Sequence, residues 1–275
     1  MYKQKEKNKF DEAMLSVDEA LDRVLKQIKV LETELVSLAG SLDCVLAEDI
    51  FSKINVPNAD NSAMDGYAVI ADNLKLASEF SPVKLKVIDS IKAGDTPSIK
   101  LKDFTAIRIM TGGSIPKDAD AILPFEYTKE KTLEIGGNNS HVTAIQNVSP
   151  GDYIRLSGKD VKEGEKILNK GVVLGPAEIG LIASIGINEI SVFRKPIVSI
   201  LSTGDELIAP GDEYSKHMVY DSNTSLIAAS VLKYGGIPKI LGVANDSIKS
   251  VNEKLKLAYG SDLLITTAGV SKGDY

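Results

Sequence analysis

Cysteine, histidine and tryptophan are scarce in this sequence. The 275 residues contain 1 cysteine (Cys44), 2 histidines (His141 and His217) and no tryptophan. A single cysteine excludes an intrachain disulfide and a cysteine-based zinc cluster, and it is typical of a reducing cytoplasm, where we expect the protein to reside. Two histidines argue against a His-rich metal site. We expect Cys44 to be a core residue.

Long apolar runs and clustered positive charge are also missing. The N-terminal segment MYKQKEKNKF lacks the apolar stretch of a secretion signal, and Glu178 and several glycines interrupt the least polar stretch, residues 172–187. The formal net charge is -6, with both signs interspersed. Neither GxGxxG nor GxxxxGK[ST] occurs. These absences disfavour membrane insertion, nucleic-acid binding, and ordinary NAD or P-loop ATP chemistry.

The first clear element is an amphipathic helix. Ser16 and Glu19 have the spacing of a capping box. The residues that follow show apolar side chains at helical spacing, which we expect to contribute to the core: Val17, Ala20, Leu21, Val24, Leu25 and Ile28.

At 43% hydrophobic residues, the chain is long enough and apolar enough for two or more folded domains.

The middle of the sequence predicts a mostly β domain. Residues 57–149 contain short β-branched runs, such as 83–87 and 141–148, separated by Gly, Pro, Asn and Asp. The glycine-punctuated stretch 150–175 suits an elongated connector built together with residues before Pro57. The β domain would then be an insertion in that connector.

The last third predicts a parallel sheet. Strand and helix patterns alternate as strand 197–202, helix 223–234, strand 238–243, helix 247–259 and strand 263–267. Short right-handed crossovers would give a doubly wound sheet with helices on both faces. The expected fold class is therefore multidomain α/β, with an elongated connector domain, an inserted mostly β domain, and a doubly wound α/β domain that is incomplete at its C-terminus.

Two of these strands run directly into turns of small and acidic residues, namely residues 203–206 and 268–274. Ligands of open α/β sheets bind beyond the carboxyl ends of the strands, where glycine lets backbone N–H groups approach an anion. Asp205 is better interpreted as a cap of the following helix, whereas Glu206 is better interpreted as a ligand. Asp246 suits a cap and a ligand equally. Glu206, Asp246 and Asp274 together suit Mg²⁺, with a solvated acidic rim as the alternative.

Three further polar segments are ordinary when taken alone. Residues 61–69 contain Asp65-Gly66, which is a strong signal for a hairpin or turn. Gly112 and Gly113 could simply reverse the chain. Residues 220–223 suit a helix N-terminal cap, and a helix N-terminus is also a suitable anion site.

Taken together, six segments resemble one family, the molybdopterin molybdenumtransferases of the MoeA type, which include the E domain of gephyrin. They occur in the family's order and cover essentially the whole chain: NSAMDGYAV at 61–69, IRIMTGGSIPKDADAILPFE at 107–126, SGKD at 157–160, LSTGDELIAPG at 201–211, YDSN at 220–223 and TTAGVSKGDY at 266–275.

The resemblance implies a reaction and a set of partners. Molybdate is inserted into adenylylated molybdopterin, with release of AMP and the help of a divalent cation, Mg²⁺. The protein would be a homodimer in which the α/β domain of one subunit and the β domain of the other form the site. The molybdopterin adenylyltransferase, which supplies the substrate, is a candidate partner.

The resemblance also implies domain boundaries: an N-terminal helix region at 1–30 packing on the α/β domain, a connector at 31–56 and 150–177, a β domain at 57–149, and a truncated molybdopterin-binding-like domain at 178–275. The catalytic positions it assigns are Asp65, Thr111, Asp160 and Glu206. Its substrate-binding positions are Gly204, Asp205, Tyr220, Asp221, Asn223, Gly269 and Ser271, and its metal ligands are Glu206, Asp246 and Asp274.

The sequence departs from the family pattern at three places. Ala268 replaces the first of two usual glycines, and Lys159 lies in a turn where an acidic or small residue is commoner. The family's Pro-Gly-Lys-Pro segment, its catalytic lysines and its C-terminal domain would follow Tyr275. Alternatives are a molybdopterin adenylyltransferase, a non-catalytic scaffold homologue and an inactive fragment.

Overall fold

The computed structural model describes residues 15–95, 97–129 and 140–268. In that part of the chain the α-helices are α1 (Val17–Gln27), α2 (Pro176–Ser184), α3 (Ser222–Lys233) and α4 (Ile248–Leu257). The strands are β1 (Thr33–Ser37), β2 (Val45–Leu46), β3 (Ile50–Phe51), β4 (Asn61–Ser62), β5 (Gly66–Val69), β6 (Val83–Ile91), β7 (Thr105–Ile109), β8 (Ala121–Pro124), β9 (His141–Ala144), β10 (Ile154–Arg155), β11 (Lys166–Leu168), β12 (Glu189–Phe193), β13 (Ile197–Thr203), β14 (Leu207–Ile208), β15 (Val219–Tyr220), β16 (Ile237–Ala244) and β17 (Leu263–Thr267).

The chain divides into two compact units. Unit 1 comprises residues 1–48, 170–176 and 189–275, and unit 2 comprises residues 49–169 and 177–188. Within the described residues, no helix combines the length and apolarity that a membrane span requires.

Unit 2 is built around a five-stranded mixed sheet in the order β8-β5-β7-β6-β9. β5 pairs antiparallel with β7 and β8, whereas β6 and β7 are parallel. All four residues of β5 and all four of β8 are buried. The sequences of such strands are continuously apolar and do not alternate between apolar and polar residues, because both faces of the sheet are covered.

The two faces of that sheet carry separate apolar clusters. Tyr67, Leu85 and Leu123 lie in one cluster, and Ile107 and Ile122 lie in the other. The Tyr67 ring packs edge-on against Phe125, with ring centroids 5.2 Å apart. The mostly β texture predicted for the middle of the sequence therefore reflects a sheet buried on both sides.

Unit 1 contains the predicted parallel sheet, in the order β16-β13-β17. Both neighbours of β13 are parallel to it. On β13, Ser202 bonds the α3 residue Thr224, whereas Leu201 packs with Leu241 against the α4 side chain Val251. Because successive side chains of a strand point to opposite faces, α3 and α4 cover opposite faces of the sheet. The doubly wound arrangement is confirmed.

A second sheet of unit 1 is antiparallel, in the order β1-β12-β2. Its central strand β12 buries Ile190 and Val192. Cys44, just before β2, is 6% exposed, which confirms it as a core residue. The fold class predicted from the sequence is confirmed, and the exact domain boundaries stay predictions.

Helix α1 begins as its capping box predicts. The Ser16 hydroxyl accepts from the Glu19 N–H at 3.2 Å, and the Glu19 carboxylate accepts from the Ser16 N–H at 3.0 Å. The prediction that its apolar stripe is core is wrong, since no α1 residue is buried and Val17 is 83% exposed. Periodicity identifies a helix and its apolar face, but it does not show what covers that face.

An ion pair connects the starts of two strands of the parallel sheet. Arg194, just before β13, donates two hydrogen bonds to Asp262, just before β17, at 2.7 Å each. Asp262 also accepts from the Ile197 N–H at 2.8 Å. The Arg194 guanidinium and this N–H lower the pKa of Asp262 from an ordinary 3.8 to about 2.

We expect Asp262→Asn to destabilise the fold by about 1 to 2 kcal/mol near neutral pH, a range that allows for solvent screening of a partly exposed pair. The folded-state pKa lies below the unfolded-state value. The ion pair therefore stabilises the fold above about pH 4 and loses this effect as pH falls toward about 2. Urea unfolding between these pH values measures the difference between the two proteins.

The matched control is Asp22→Asn, which removes a pair between Asp22 and Lys26 whose side chains are 68% and 71% exposed. We expect that change to cost under about 0.5 kcal/mol. An Asp262→Asn effect that does not vary with pH would contradict the assigned pKa.

Candidate functional site

The carboxyl ends of β13 and β16 border a crevice of about 890 Å³, which we call the strand-end crevice. The turn after β13 forms one wall and the start of α4 forms another. The lining residues are Thr203, Gly204, Asp205, Glu206, Asp246, Ser247, Ile248, Val251, Asn252 and Ala268. The crevice lies where ligands of parallel α/β sheets bind.

Glycine at position 204 allows the turn to form beside β13. Gly204 has a φ of +154°, and a Cβ there would lie 2.7 Å from the Glu206 carboxylate. The Gly204 N–H donates to the Ala244 carbonyl at 3.1 Å, which ties the turn to the end of β16. The exposed Glu206 carboxylate therefore lies close to the Gly204 backbone at the crevice wall.

Asp205 does not cap a helix, contrary to the sequence-based interpretation. The turn leads into β14, and Asp205 instead accepts from the Asp246 N–H at 3.1 Å. The cap of α4 is Ser247, whose hydroxyl accepts from the Ser250 N–H at 3.2 Å. Asp205 follows β13 and Asp246 follows β16, so this hydrogen bond can be identified only when the positions of both strand ends are known. Asp246 therefore does not cap α4, and it lines the crevice.

Only two of the three predicted metal ligands lie within the described residues. Glu206 and Asp246 line the same crevice, whereas Asp274 lies outside the described residues, as do Gly269 and Ser271. Residues 15–95, 97–129 and 140–268 contain no group of three acidic, His or Cys side chains that could hold a metal ion. Two carboxylates still suit Mg²⁺ when ligand phosphates supply further oxygens.

A buried carboxylate begins α3. Asp221 is 5% exposed, and its carboxylate accepts from the Thr224 N–H at 3.1 Å and from the Thr224 hydroxyl at 2.6 Å. Burial raises the pKa of Asp221, but the hydrogen bonds from Thr224, Ser202 and the Asn223 N–H outweigh burial and hold it below its ordinary range. Asp221 is therefore ionised at neutral pH.

The other two predicted residues of this segment lie at the surface. The Tyr220 hydroxyl donates to the Asp212 carbonyl at 3.0 Å, and its ring lies beside that of Tyr214. Asn223 is exposed in the first turn of α3. Both remain predicted substrate-binding residues.

Asp65 and Thr111 lie together in unit 2. Asp65 Oδ1 accepts from the Thr111 N–H at 2.7 Å and from its hydroxyl at 2.8 Å. These two bonds, and the nearby positive charge of Arg108, hold the pKa of Asp65 below its ordinary range. The Thr111 hydroxyl donates to the carboxylate, so its oxygen lone pairs can accept from another group.

The sequence allowed a hairpin or a turn at Asp65-Gly66; the hairpin is wrong, whereas the chain does bend at residues 63–65, directly before β5. Gly66 is the first residue of β5, which pairs with β7 and β8 on its two sides. Asp65 therefore lies at the start of β5, an interior strand of the five-stranded sheet.

Asp160 lies elsewhere in unit 2. Its N–H donates to the Val56 carbonyl at 2.9 Å, and its side chain is exposed. It lines an open depression together with Lys159, Lys162 and Glu165.

Sequence reasoning missed three hydroxyl residues beside Asp221: Ser202, Thr224 and Thr267. The Ser202 hydroxyl lies 2.9 Å from that of Thr224 and 2.8 Å from that of Thr267. No local signal distinguished these residues, because β13 and β17 carry other hydroxyl side chains as well, and only the fold pairs Ser202 with Thr267.

The parallel sheet and its strand-end crevice define a ligand-binding α/β protein with a second, mostly β unit. Residues 15–186 match the family model described as MoeA N-terminal region (domain I and II), and residues 199–275 match the model described as probable molybdopterin binding domain. The chain belongs to the MoeA family.

Similar proteins carry a common name. A molybdopterin molybdenumtransferase of Bacillus subtilis is 39% identical over 265 residues, which are 95% of this chain and 60% of the relative. Molybdopterin molybdenumtransferase 2 of Mycobacterium tuberculosis is 37% identical over 263 residues, 95% of this chain and 63% of the relative. The chain thus spans less than two thirds of the length of these relatives.

A solved structure is also similar. The molybdopterin biosynthesis MoeA protein of Pyrococcus horikoshii OT3 is 33% identical, with a TM-score of 0.81 over 92% of this chain and 66% of that chain.

Proposed function

We propose that the protein acts in molybdenum cofactor biosynthesis as a molybdopterin molybdenumtransferase. The proposed reaction inserts molybdate into adenylylated molybdopterin and releases AMP. The observation that carries the proposal is the strand-end crevice with its two carboxylates, in a unit that matches a molybdopterin-binding family model.

The residues of unit 1 would bind and orient the substrate. Gly204 leaves room for close approach to the backbone, and Tyr220, Asp221 and Asn223 are assigned to substrate binding through their family motif. Glu206 and Asp246 would hold a Mg²⁺ ion, with Asp274 as the third proposed ligand. Mg²⁺ supplies positive charge that neutralises phosphate oxygens when it is bound.

We further propose a homodimer whose second subunit completes the site. Asp65 and Thr111 form a hydrogen-bonded pair beside the ends of the neighbouring strands β5 and β7, and the carboxylate keeps the threonine hydroxyl oriented. Such a pair can position a polar substrate group or water. Asp160 is assigned to the same reaction through its family motif.

Product analysis tests the reaction. The chain is incubated with adenylylated molybdopterin, molybdate and Mg²⁺, and nucleotides are separated by chromatography. We expect AMP release that depends on molybdate. Pyrophosphate release from ATP and molybdopterin would instead indicate an adenylyltransferase, and release of neither product would contradict the proposed activity for this chain.

A further inference from the structure

Two short turns bring the Asp65 carboxylate and the Thr111 hydroxyl together in unit 2. Asp65 ends the bend at residues 63–65, directly before β5, and Thr111 lies in the turn that follows β7. Both residues are exposed, so burial does not hold their side chains in place. The geometry of the pair therefore depends on the groups that fix these two turns.

The main chain of Ser62, in β4, fixes the turn that contains Thr111. The Ser62 N–H donates to the Gly113 carbonyl at 2.9 Å, and the Ser62 carbonyl accepts from the Gly112 N–H at 2.9 Å. These two glycines directly follow Thr111 in the sequence. Ser62 is therefore bonded on both sides of its peptide backbone to the turn of one partner.

The side chain of the same residue fixes the bend that contains Asp65. The Ser62 hydroxyl donates to the Met64 carbonyl at 2.5 Å and accepts from the Met64 N–H at 3.3 Å. A serine hydroxyl that bonds the main chain two residues further on closes a small local turn. Ser62 is 0% exposed, so its hydroxyl is shielded from solvent. Met64 immediately precedes Asp65.

We propose that Ser62 is a positioning residue for the pair of Asp65 and Thr111, because this one residue fixes both turns relative to each other. The inference rests on the proposed function, in which the pair belongs to the site. Ser62 itself is fully buried and does not contact the substrate. Its hydroxyl holds the bend so that Asp65 Oδ1 meets the Thr111 N–H and hydroxyl.

Ser52 offers a matched control, because it makes the same four kinds of hydrogen bond elsewhere in unit 2. Its hydroxyl donates to the Ile54 carbonyl at 2.6 Å and accepts from the Ile54 N–H at 3.3 Å. Its N–H donates to the Glu165 carbonyl at 2.9 Å, and its carbonyl accepts from the Gly164 N–H at 2.8 Å. Ser52 is 2% exposed. Ser52→Ala therefore removes an equivalent buried hydroxyl that bonds neither turn of the pair.

NMR titration of the Asp65 carboxyl carbon tests the positioning without any ligand. The Thr111 N–H and hydroxyl hold the pKa of Asp65 below its ordinary 3.8. Ser62→Ala keeps both main-chain bonds and removes only the hydroxyl. We expect this change to raise the Asp65 pKa toward its ordinary value, and Ser52→Ala to leave the Asp65 pKa unchanged. An unchanged pKa in Ser62→Ala, or an equal rise in both variants, would overturn the inference.

Urea unfolding separates positioning from a general loss of structure. Each alanine variant loses one buried hydroxyl with two hydrogen bonds, so we expect the two unfolding midpoints to fall by similar amounts. If Ser62→Ala does not fold, Ser62→Cys is the second variant, because a thiol is the weaker donor and acceptor. Ser62→Cys should also raise the Asp65 pKa, and an unchanged pKa in that variant would contradict the role of the hydroxyl.

The rate of AMP release tests the role of Ser62 in the reaction. We expect Ser62→Ala to lower kcat about tenfold or more and to leave KM within about threefold, because misplaced groups slow the chemical step more than they weaken binding. In a Thr111→Val background, which already lacks one side of the pair, adding Ser62→Ala should change kcat less than about twofold. Multiplying effects, or an unchanged kcat in Ser62→Ala, would contradict the positioning role.

The two kinds of measurement separate this inference from the proposed function. If the unsubstituted chain releases no AMP, the proposed reaction is wrong and the role of Ser62 in it falls as well. The NMR titration needs no substrate, so it still decides whether Ser62 holds Asp65 against Thr111.

Discussion

Gly66→Ala is expected to destabilise unit 2 by at least about 3 kcal/mol, because overpacking against fixed backbone has few ways to relax. A Cβ at position 66 would collide with the Leu123 carbonyl oxygen and lie 2.9 Å from the carbonyl carbon. Both atoms belong to β8, which pairs directly with β5. Thermal or urea unfolding of the variant measures the loss.

The collision involves main-chain atoms in the buried centre of the sheet. Gly66 pairs with Ile109 on one side and with Pro124 on the other, so moving it disturbs three strands. Asp65 immediately precedes it, and its carboxylate would shift away from Thr111. We therefore expect loss of the Asp65 and Thr111 pair along with loss of stability.

Gly180→Ala is the matched control. Gly180 lies within α2, and a Cβ there would meet no atom within 4 Å. Alanine is the better helix former by roughly 0.8 to 1 kcal/mol, so this variant should be as stable as the parent or more stable. Equal stability of the Gly66→Ala and Gly180→Ala variants would show that β5 and β8 are not packed as described.

The second large effect concerns the crevice. We expect Glu206→Gln to weaken Mg²⁺-dependent binding of adenylylated molybdopterin about 100-fold, because the amide keeps the shape of the side chain but loses the charge that binds the cation. Fold stability should change little, since Glu206 is exposed. Titration calorimetry at saturating Mg²⁺ measures the affinity, and thermal unfolding verifies the fold.

Glu213→Gln removes an equal charge from an exposed position of unit 1 that does not line the crevice. Its affinity should stay within about twofold of the parent, since exposed charges are strongly screened. Equal losses in the two variants would mean that Glu206 acts only through net charge.

Local signals in the sequence predicted the parallel sheet well. Strand 263–267 agrees with β17 at both ends, and helix 223–234 differs from α3 by one residue at each end. These elements carry strong signals, namely continuous apolar runs, an Asp cap and the glycines at 235 and 236. Each signal acts within a few residues of the chain, so it can be read without knowing the fold.

Partners from distant segments could not be predicted in the same way. Asp205 was expected to cap a helix but bonds an N–H 41 residues away. Gly66 resembled a turn residue, but the absence of a side chain there is what allows β8, which lies more than 50 residues further along the sequence, to pair with β5. The hydroxyl contacts of Ser202 with Thr224 and Thr267 join three segments and were not predicted at all.

In the proposed function, the strand-end crevice binds adenylylated molybdopterin with the help of Mg²⁺. Titration calorimetry of the chain with this ligand, first with Mg²⁺ and then with a chelator, tests it most directly. We expect saturable binding that is lost or greatly weakened when Mg²⁺ is removed. Absence of binding, or binding that the chelator leaves unchanged, would contradict it.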